Sequence, residues 1–257
     1  MDNSNYRSPE NERKYMSYSQ FKDFLECEEM ALAVINQAYE KPTTKALLQG
    51  SYVDAYFSGE LDEFKEKNPS IFKAGGELKK DFEICNTVIQ TIESDQAYRE
   101  EFFSGDAQKI LTGEIAGVPF KGKIDMLYPD KIVDMKCMGS VDKVWSNEEH
   151  RYMPFYSFYK YHIQAAIYQE LVRQNFGTKL PYFLAVTTKE DVPAKYAFEF
   201  SQDVLDEGLE FVKALAPHFQ ALKDGKEQPK ACGHCNFCKS THKFTIFDIQ
   251  TITKEDL

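Results

Sequence analysis

No apolar run in the sequence approaches the roughly 20 residues that a membrane helix needs, so no helical span is expected. The opening residues MDNSNYRSPENERKYMS contain no signal-peptide core, and the expected location is the cytoplasm. Basic residues are in deficit. Lys and Arg number 31 against 41 Asp and Glu, a formal net charge of −10, which argues against a passive nucleic-acid-binding protein. A catalyst that meets nucleic acid through divalent cations and a local basic strip escapes that objection. Six cysteines without an export signal are not expected to form a disulfide framework. Internal repeats and long low-complexity stretches are also absent.

What remains is a core-forming composition: 42% hydrophobic and 28% charged residues, with 20 Phe and 15 Tyr. One domain spanning all 257 residues is expected, with a mobile start over residues 1–15 and a polar KDGKEQPK linker at 223–230. Ser17 with Gln20 resembles a capping box opening a helix through FKDFLECEEMALAVINQAY. A second helix starts near Thr44 and a third covers about 76–103. Three strand-like runs follow, ILTGEIAG, VPFKGKIDMLY and KIVDMKC, separated by turn signals at Gly117-Val118-Pro119 and Pro129-Asp130. A long helix over FYSFYKYHIQAAIYQELVRQNF, two more strands (PYFLAVTTK and KYAFEF) and a helix over about 201–223 complete the pattern. The core order is α-β-β-β-α-β: an α/β fold with a central mixed sheet flanked by helices, helical N-terminal additions and a Cys-rich C-terminal segment at 228–245.

If strands two and three fold back around Pro129-Asp130, residues whose numbers sum to about 259 face each other, and Asp125 falls opposite Asp134. Opposed like charges destabilise an antiparallel pair, so the two carboxylates call for a cation. Magnesium, a hard ion held by carboxylates, water and phosphate, is the natural candidate, with manganese as its substitute. Lys136 shares the strand face of Asp134, while Val133, Met135 and Cys137 point the other way. A metal with an adjacent ammonium suits phosphodiester hydrolysis. A surface hairpin with scattered charges has the same local pattern. On the following helix Gln164 and Tyr168 lie four residues apart on one face, with Lys160 a turn earlier, a stripe able to grip phosphate oxygens. Alternatively, Tyr168 packs and Gln164 fills a buried polar gap. Lys121 and Lys123 alternate onto the face of Asp125 as a basic strip or as solvated side chains.

Gly122-Lys123-Ile124-Asp125, Ile132-Val133-Asp134-Met135-Lys136 and Gln164-Ala165-Ala166-Ile167-Tyr168 resemble, in order, the Asp, Asp-x-Lys and Gln-x-x-x-Tyr motifs of the RecB-like branch of the PD-(D/E)xK nucleases. Gly50-Ser51-Tyr52-Val53-Asp54 resembles that branch's first motif, Gly-x-x-x-His, with Asp54 in place of the His ligand. The likeness, strongest to phage RecE-like (exodeoxyribonuclease VIII-like) exonucleases, runs from about residue 17 to 245. It implies a restriction-endonuclease-like core in which Asp54, Asp125, Asp134 and the Met135 carbonyl hold metal. Lys136 would assist the attacking water, with Gln164 and Tyr168 near the scissile strand. The implied substrate is linear duplex DNA, resected 5′ to 3′ for a single-strand annealing partner, and related exonucleases form rings around DNA, so a homo-oligomer is implied. Two rivals remain: a single-strand-directed nuclease of the CRISPR-adaptation type, and a non-catalytic DNA-binding iron–sulfur scaffold.

Cys232, Cys235 and Cys238 form a C-x-x-C-x-x-C run that needs a fourth ligand to close a site. Cys27, His234 and His242 are the candidates. The segment around Cys27 resembles the N-terminal cysteine segment of AddB-type nucleases, which implies a [4Fe-4S] cluster held by one early and three late cysteines. Zn2+ and metal-free thiols are the alternatives.

Overall fold

The fold is that of a computed structural model that describes residues 1–245, 249 and 251–253. The N-terminal part is helical: α1 (Pro9–Lys14), α2 (Tyr18–Glu26), α3 (Glu28–Ile35), α4 (Lys45–Phe57), α5 (Leu61–Lys67), α6 (Glu83–Glu93) and α7 (Gln96–Phe102). There follow β1 (Asp106–Ile115), β2 (Val118–Leu127), β3 (Ile132–Met138), β4 (Val144–Ser146), β5 (Arg151–Met153), α8 (Phe155–Phe158) and α9 (Tyr161–Phe176). β6 (Tyr182–Thr188), β7 (Lys195–Glu199), α10 (Gln202–Lys223) and α11 (Asn236–Thr241) complete the chain. None of the described helices is long and apolar enough to cross a membrane.

The main sheet has the order β1-β2-β3-β6-β7. β3 and β6 run parallel, joined through α9, and the other neighbours are antiparallel. This is the expected α/β core with a central mixed sheet between helices. One face carries a core of Phe21 and Phe24 from α2, Ile163 and Leu171 from α9, and Val212 and Phe219 from α10, packed on Ile124 and Ile132. The other carries Val53 from α4 and Val88 and Ile92 from α6, packed on Met126, Val133 and Ala185. Gly122 permits the close approach of α9 to β2, since a Cβ there would lie 3.0 Å from Tyr168 and Leu171 side-chain atoms.

Helix starts follow their caps. Ser17 Oγ accepts from the Gln20 N–H and Thr44 Oγ1 from the Leu47 N–H. Helix interruptions do not follow the apolar pattern. The expected first helix breaks at Cys27, whose backbone is extended between α2 and α3. The stretch expected as a third helix holds a 3-10 turn and two helices, α6 and α7. The expected long helix from residue 155 breaks at Lys160, which has a left-handed φ of 58°. There the Tyr18 hydroxyl donates toward the carbonyls of Tyr159 (2.8 Å) and Lys160 (3.2 Å), binding α2 to the break. The β4–β5 hairpin had no counterpart in the expected pattern.

The start of the chain, expected to be mobile, is packed instead. Met16 bridges Phe120 in β2, and Tyr6 and Met16 are buried. The fully buried Lys121 explains the attachment: its ammonium donates to the Tyr6 carbonyl (2.6 Å) and pairs with Glu12 of α1 (3.0 Å).

Candidate active site

Pairing of β2 with β3 follows the expected register, Met126 opposite Val133 and Leu127 opposite Ile132, and stops there. Asp125 and Asp134 therefore lie just past the last pair, where the strands part, instead of forming a direct cross-strand pair. Asp125 Oδ2 accepts the Met135 N–H at 2.8 Å. Asp134, 1% exposed, accepts Gln164 Nε2 on Oδ1 at 2.7 Å. Its Oδ2 is in ion-pair contact with Lys136 Nζ but outside hydrogen-bond geometry with any group among the described residues. Val133 belongs to the core of the opposite face, with Met135 and Cys137 packed against it, so the alternation expected along β3 holds.

Asp54 comes from α4 on that opposite face and accepts Gln108 Nε2 at 3.0 Å. Burial pushes its carboxyl up to about 6, against the pull of Lys123 and Lys136. Burial, then the carboxylates of Asp134 and Asp54, raise Asp125 well above the ordinary carboxylate range. Burial disfavours the charge of Lys136, yet Asp134 and Asp125 outweigh it and hold the ammonium above its usual range. Asp54 and Asp125 resist ionisation beside one another and beside Asp134, and a single ammonium does not balance three carboxylates. The donor set fits a hard divalent cation, because it is built of carboxylate oxygens, one of which, Asp134 Oδ2, is buried and met only by the Lys136 ammonium among the described residues.

A cavity of about 390 Å³ opens onto this cluster, lined by Asp54, Gln108, Lys123, Asp125 and Tyr168 together with Tyr6, Arg7 and Tyr18. Tyr168 is buried, and burial raises its phenol so far that it is a neutral hydrogen-bond donor. Lys136 also lies 5.1 Å from the ring centre of Tyr161. Two expectations change, for Lys121 and Lys160. Lys121 joins no basic strip and is not solvated, since Glu12 and Tyr6 enclose it. Lys123 does line the cavity, with Glu60 3.6 Å away. Lys160 occupies the left-handed cap before α9, not a helical position a turn before Gln164.

Sequence reasoning missed Gln108. In β1 it is 7% exposed with φ 54°, and nothing in its local sequence signals a left-handed residue. The missed signal lay in arithmetic: β1 pairs β2 with numbers summing to 233, which aims position 108 at Asp125.

The four cysteines Cys27, Cys232, Cys235 and Cys238 form a second cluster with all four sulfurs within 4.8 Å of one another. Cys27 Sγ is 3.6 Å and Cys232 Sγ 3.8 Å from Cys238 Sγ. Of the expected fourth ligands it is Cys27 that joins the group, while His234 turns Nδ1 to the Cys232 carbonyl. Backbone N–H groups of Cys235 and Cys238 point at the sulfurs of Cys232 and Cys235. Burial opposes ionisation of Cys232, but N–H donation from His234 and Cys235 outweighs it and lowers this thiol to about 6. A clip beside the cluster joins the chain ends: His218 lies between Glu28 (2.8 Å) and Glu227 (2.5 Å), and Glu28 accepts the Lys230 N–H.

No curated protein matches the chain. Among solved structures, a protein from Eubacterium rectale described as a "putative exonuclease" is 38% identical, with a TM-score of 0.91 over 100% of this chain and 97% of that one. A second structure, SSO0001, aligns over 77% of this chain and 84% of that one at 13% identity; its TM-score of 0.29 carries no weight. A family model described as a PDDEXK-like domain of unknown function (DUF3799) matches residues 17–241, a span containing Asp54, Asp125, Asp134, Lys136 and the mixed sheet that presents them. The chain belongs to this PDDEXK-like family.

Proposed function

We propose that the chain is a metal-dependent DNA exonuclease that hydrolyses phosphodiester bonds from the ends of linear duplex DNA, 5′ to 3′, in phage-type recombination. The observation that carries this reading is that Asp54 and Asp125 line one cavity while the buried Asp134–Lys136 pair lies close enough behind them to act on both carboxyls. Asp54, Asp125, Asp134 and the Met135 carbonyl would hold Mg2+ or Mn2+, which when bound supplies positive charge to a phosphate and acidifies water.

The chain's own groups do the rest. Lys136, paired with Asp134, would orient water and counter charge on phosphate oxygens. Gln164 fixes Asp134 by donating to Oδ1, which leaves Oδ2 turned toward the ammonium. The Met135 N–H fixes Asp125 in the same way. Tyr168 supplies a neutral donor on the cavity wall, and Lys123 a cation for the substrate backbone.

For the cysteine cluster we favour a single Zn2+ over a [4Fe-4S] cluster. Sulfurs at the corners of a tetrahedron with Zn–S bonds of about 2.3 Å lie roughly 3.8 Å apart, and the observed 3.6 and 3.8 Å support this. Its role would be structural, since four thiolates leave no open position.

The test of function is digestion of linear and covalently closed circular duplexes, with magnesium and then with excess chelator. Magnesium-dependent loss of the linear form alone is expected. Cutting of the circle would overturn end dependence, and equal activity in chelator would overturn the role of the carboxylates. Preference for single strands would move the reading to the CRISPR-adaptation type.

A further inference from the structure

Residues Ala107 and Lys109 of β1 pair regularly with Met126 and Ile124 of β2, yet the intervening Gln108 and Asp125 do not pair. The core assignment changes at the same place. Ile124 packs on the α9 face and Met126 on the α4 face, although two residues apart on a strand they should share one. Gln108 takes up this irregularity with φ 54°, a conformation that costs a non-glycine residue free energy. Its side chain is 7% exposed, Nε2 donates to Asp54 Oδ1 at 3.0 Å, and Oε1 is buried with no hydrogen-bond partner among the described residues.

A break in pairing that served only the sheet would be less strained with glycine, which accepts this φ freely, and an apolar side chain would fill the space without stranding an amide oxygen. The strain and the stranded oxygen have a compensating return in the grip on Asp54. An amide suits that task. Being neutral, it orients a carboxylate without repelling a cation, which a lysine in the same place would do.

We propose that Gln108 is a positioning residue for the cation site, acting through Asp54: it fixes Oδ1 by hydrogen bonding and leaves the second carboxylate oxygen for the ion. This rests on the cation-site reading given above. It assigns the irregular pairing of β1 and β2 to function, as the means of bringing a β1 side chain to a ligand carried by α4.

The test is calorimetric titration with Mn2+ of the full chain, Gln108→Met, Asp54→Ala and the double variant, with thermal unfolding of each. Groups that orient a metal ligand typically change affinity by roughly 10- to 100-fold, and Gln108→Met should weaken Mn2+ binding by that factor. In the Asp54→Ala background the same substitution should change affinity by less than about threefold, because the residue through which it acts is gone. Gln108→Gly, which relieves the backbone strain, should fold and lose affinity to the same degree. If both Gln108 variants fold and bind Mn2+ within threefold of the parent, the inference is wrong. It also fails if the full loss persists without Asp54, for Gln108 would then touch the ion itself. Failure of the parent to bind Mn2+ would instead overturn the cation site and this inference together.

Discussion

Asp134 and Lys136 share one face of β3 but have opposite relations to a cation. Asp134→Ala removes a ligand and should abolish metal binding and cleavage together. Lys136→Ala removes a charge that repels the ion, so Mn2+ affinity should hold or rise while the cleavage barrier grows by about 3 kcal/mol. Calorimetry and single-turnover cleavage on the same samples read both quantities, and near-normal cleavage by Lys136→Ala would remove the lysine from the site. The juxtaposition of these residues was legible because strand alternation and turn position are local facts: one spacing put Lys136 beside Asp134, and one sum set the register. The fate of Lys121 was not legible. Its alternation toward Asp125 gave no sign that Glu12, 109 residues earlier, would enclose it. Gln108 escaped for a different reason, since its left-handed conformation falls at a gap in the β1–β2 pairing and has no sign in its own propensity.

Among the elements, those bounded by local signals were legible, and those broken inside an apolar pattern were not. α10 (Gln202–Lys223) matches the expected 201–223 closely, and α4 starts at its Thr44 cap. The break between α2 and α3 has no proline or glycine to announce it, because its cause lies 211 residues away in the cluster that Cys27 shares with Cys238. The junction is thus a metal-site expectation as well as a helix boundary. The full chain should carry about one zinc ion, and Cys27→Ser should lose most of it and unfold at a lower temperature. Elemental analysis with thermal unfolding checks this. Retention of full metal content by the variant would remove Cys27 from the ligands, and about four irons per chain would replace zinc by the cluster that the AddB-type resemblance implied.

At the scale of the whole molecule, the mixed sheet and its two helical layers were legible from the order of strand and helix patterns, and the packed start of the chain was not. The polarity of residues 1–15 suggested a tail because the pattern contains no buried stripe; among what holds the segment are the pair of Glu12 with the buried Lys121 and the hydrogen bonds of Lys223 to the Glu12 and Tyr15 carbonyls. That feature bears on where the folded unit can be cut. The family match begins at residue 17, and a fragment trimmed to 17–241 would keep every proposed catalytic side chain while discarding Glu12 and the Tyr6 carbonyl. Lys121 would then lie in the sheet as an uncompensated charge. Removing one member of a buried pair costs roughly 3–5 kcal/mol, so the trimmed fragment should show a markedly lower urea midpoint than the full chain. Lys121→Met separates this cause from general loss of packing: it should recover much of the deficit in the fragment, whereas in the full chain, where it leaves the Tyr6 carbonyl and Glu12 without their ammonium, it should destabilise. If it recovers nothing, Glu12 is not what the fragment misses. If it does recover, the chain's independently folding unit begins upstream of the region by which its family is recognised, and the first sixteen residues are an integral part of the β2 edge.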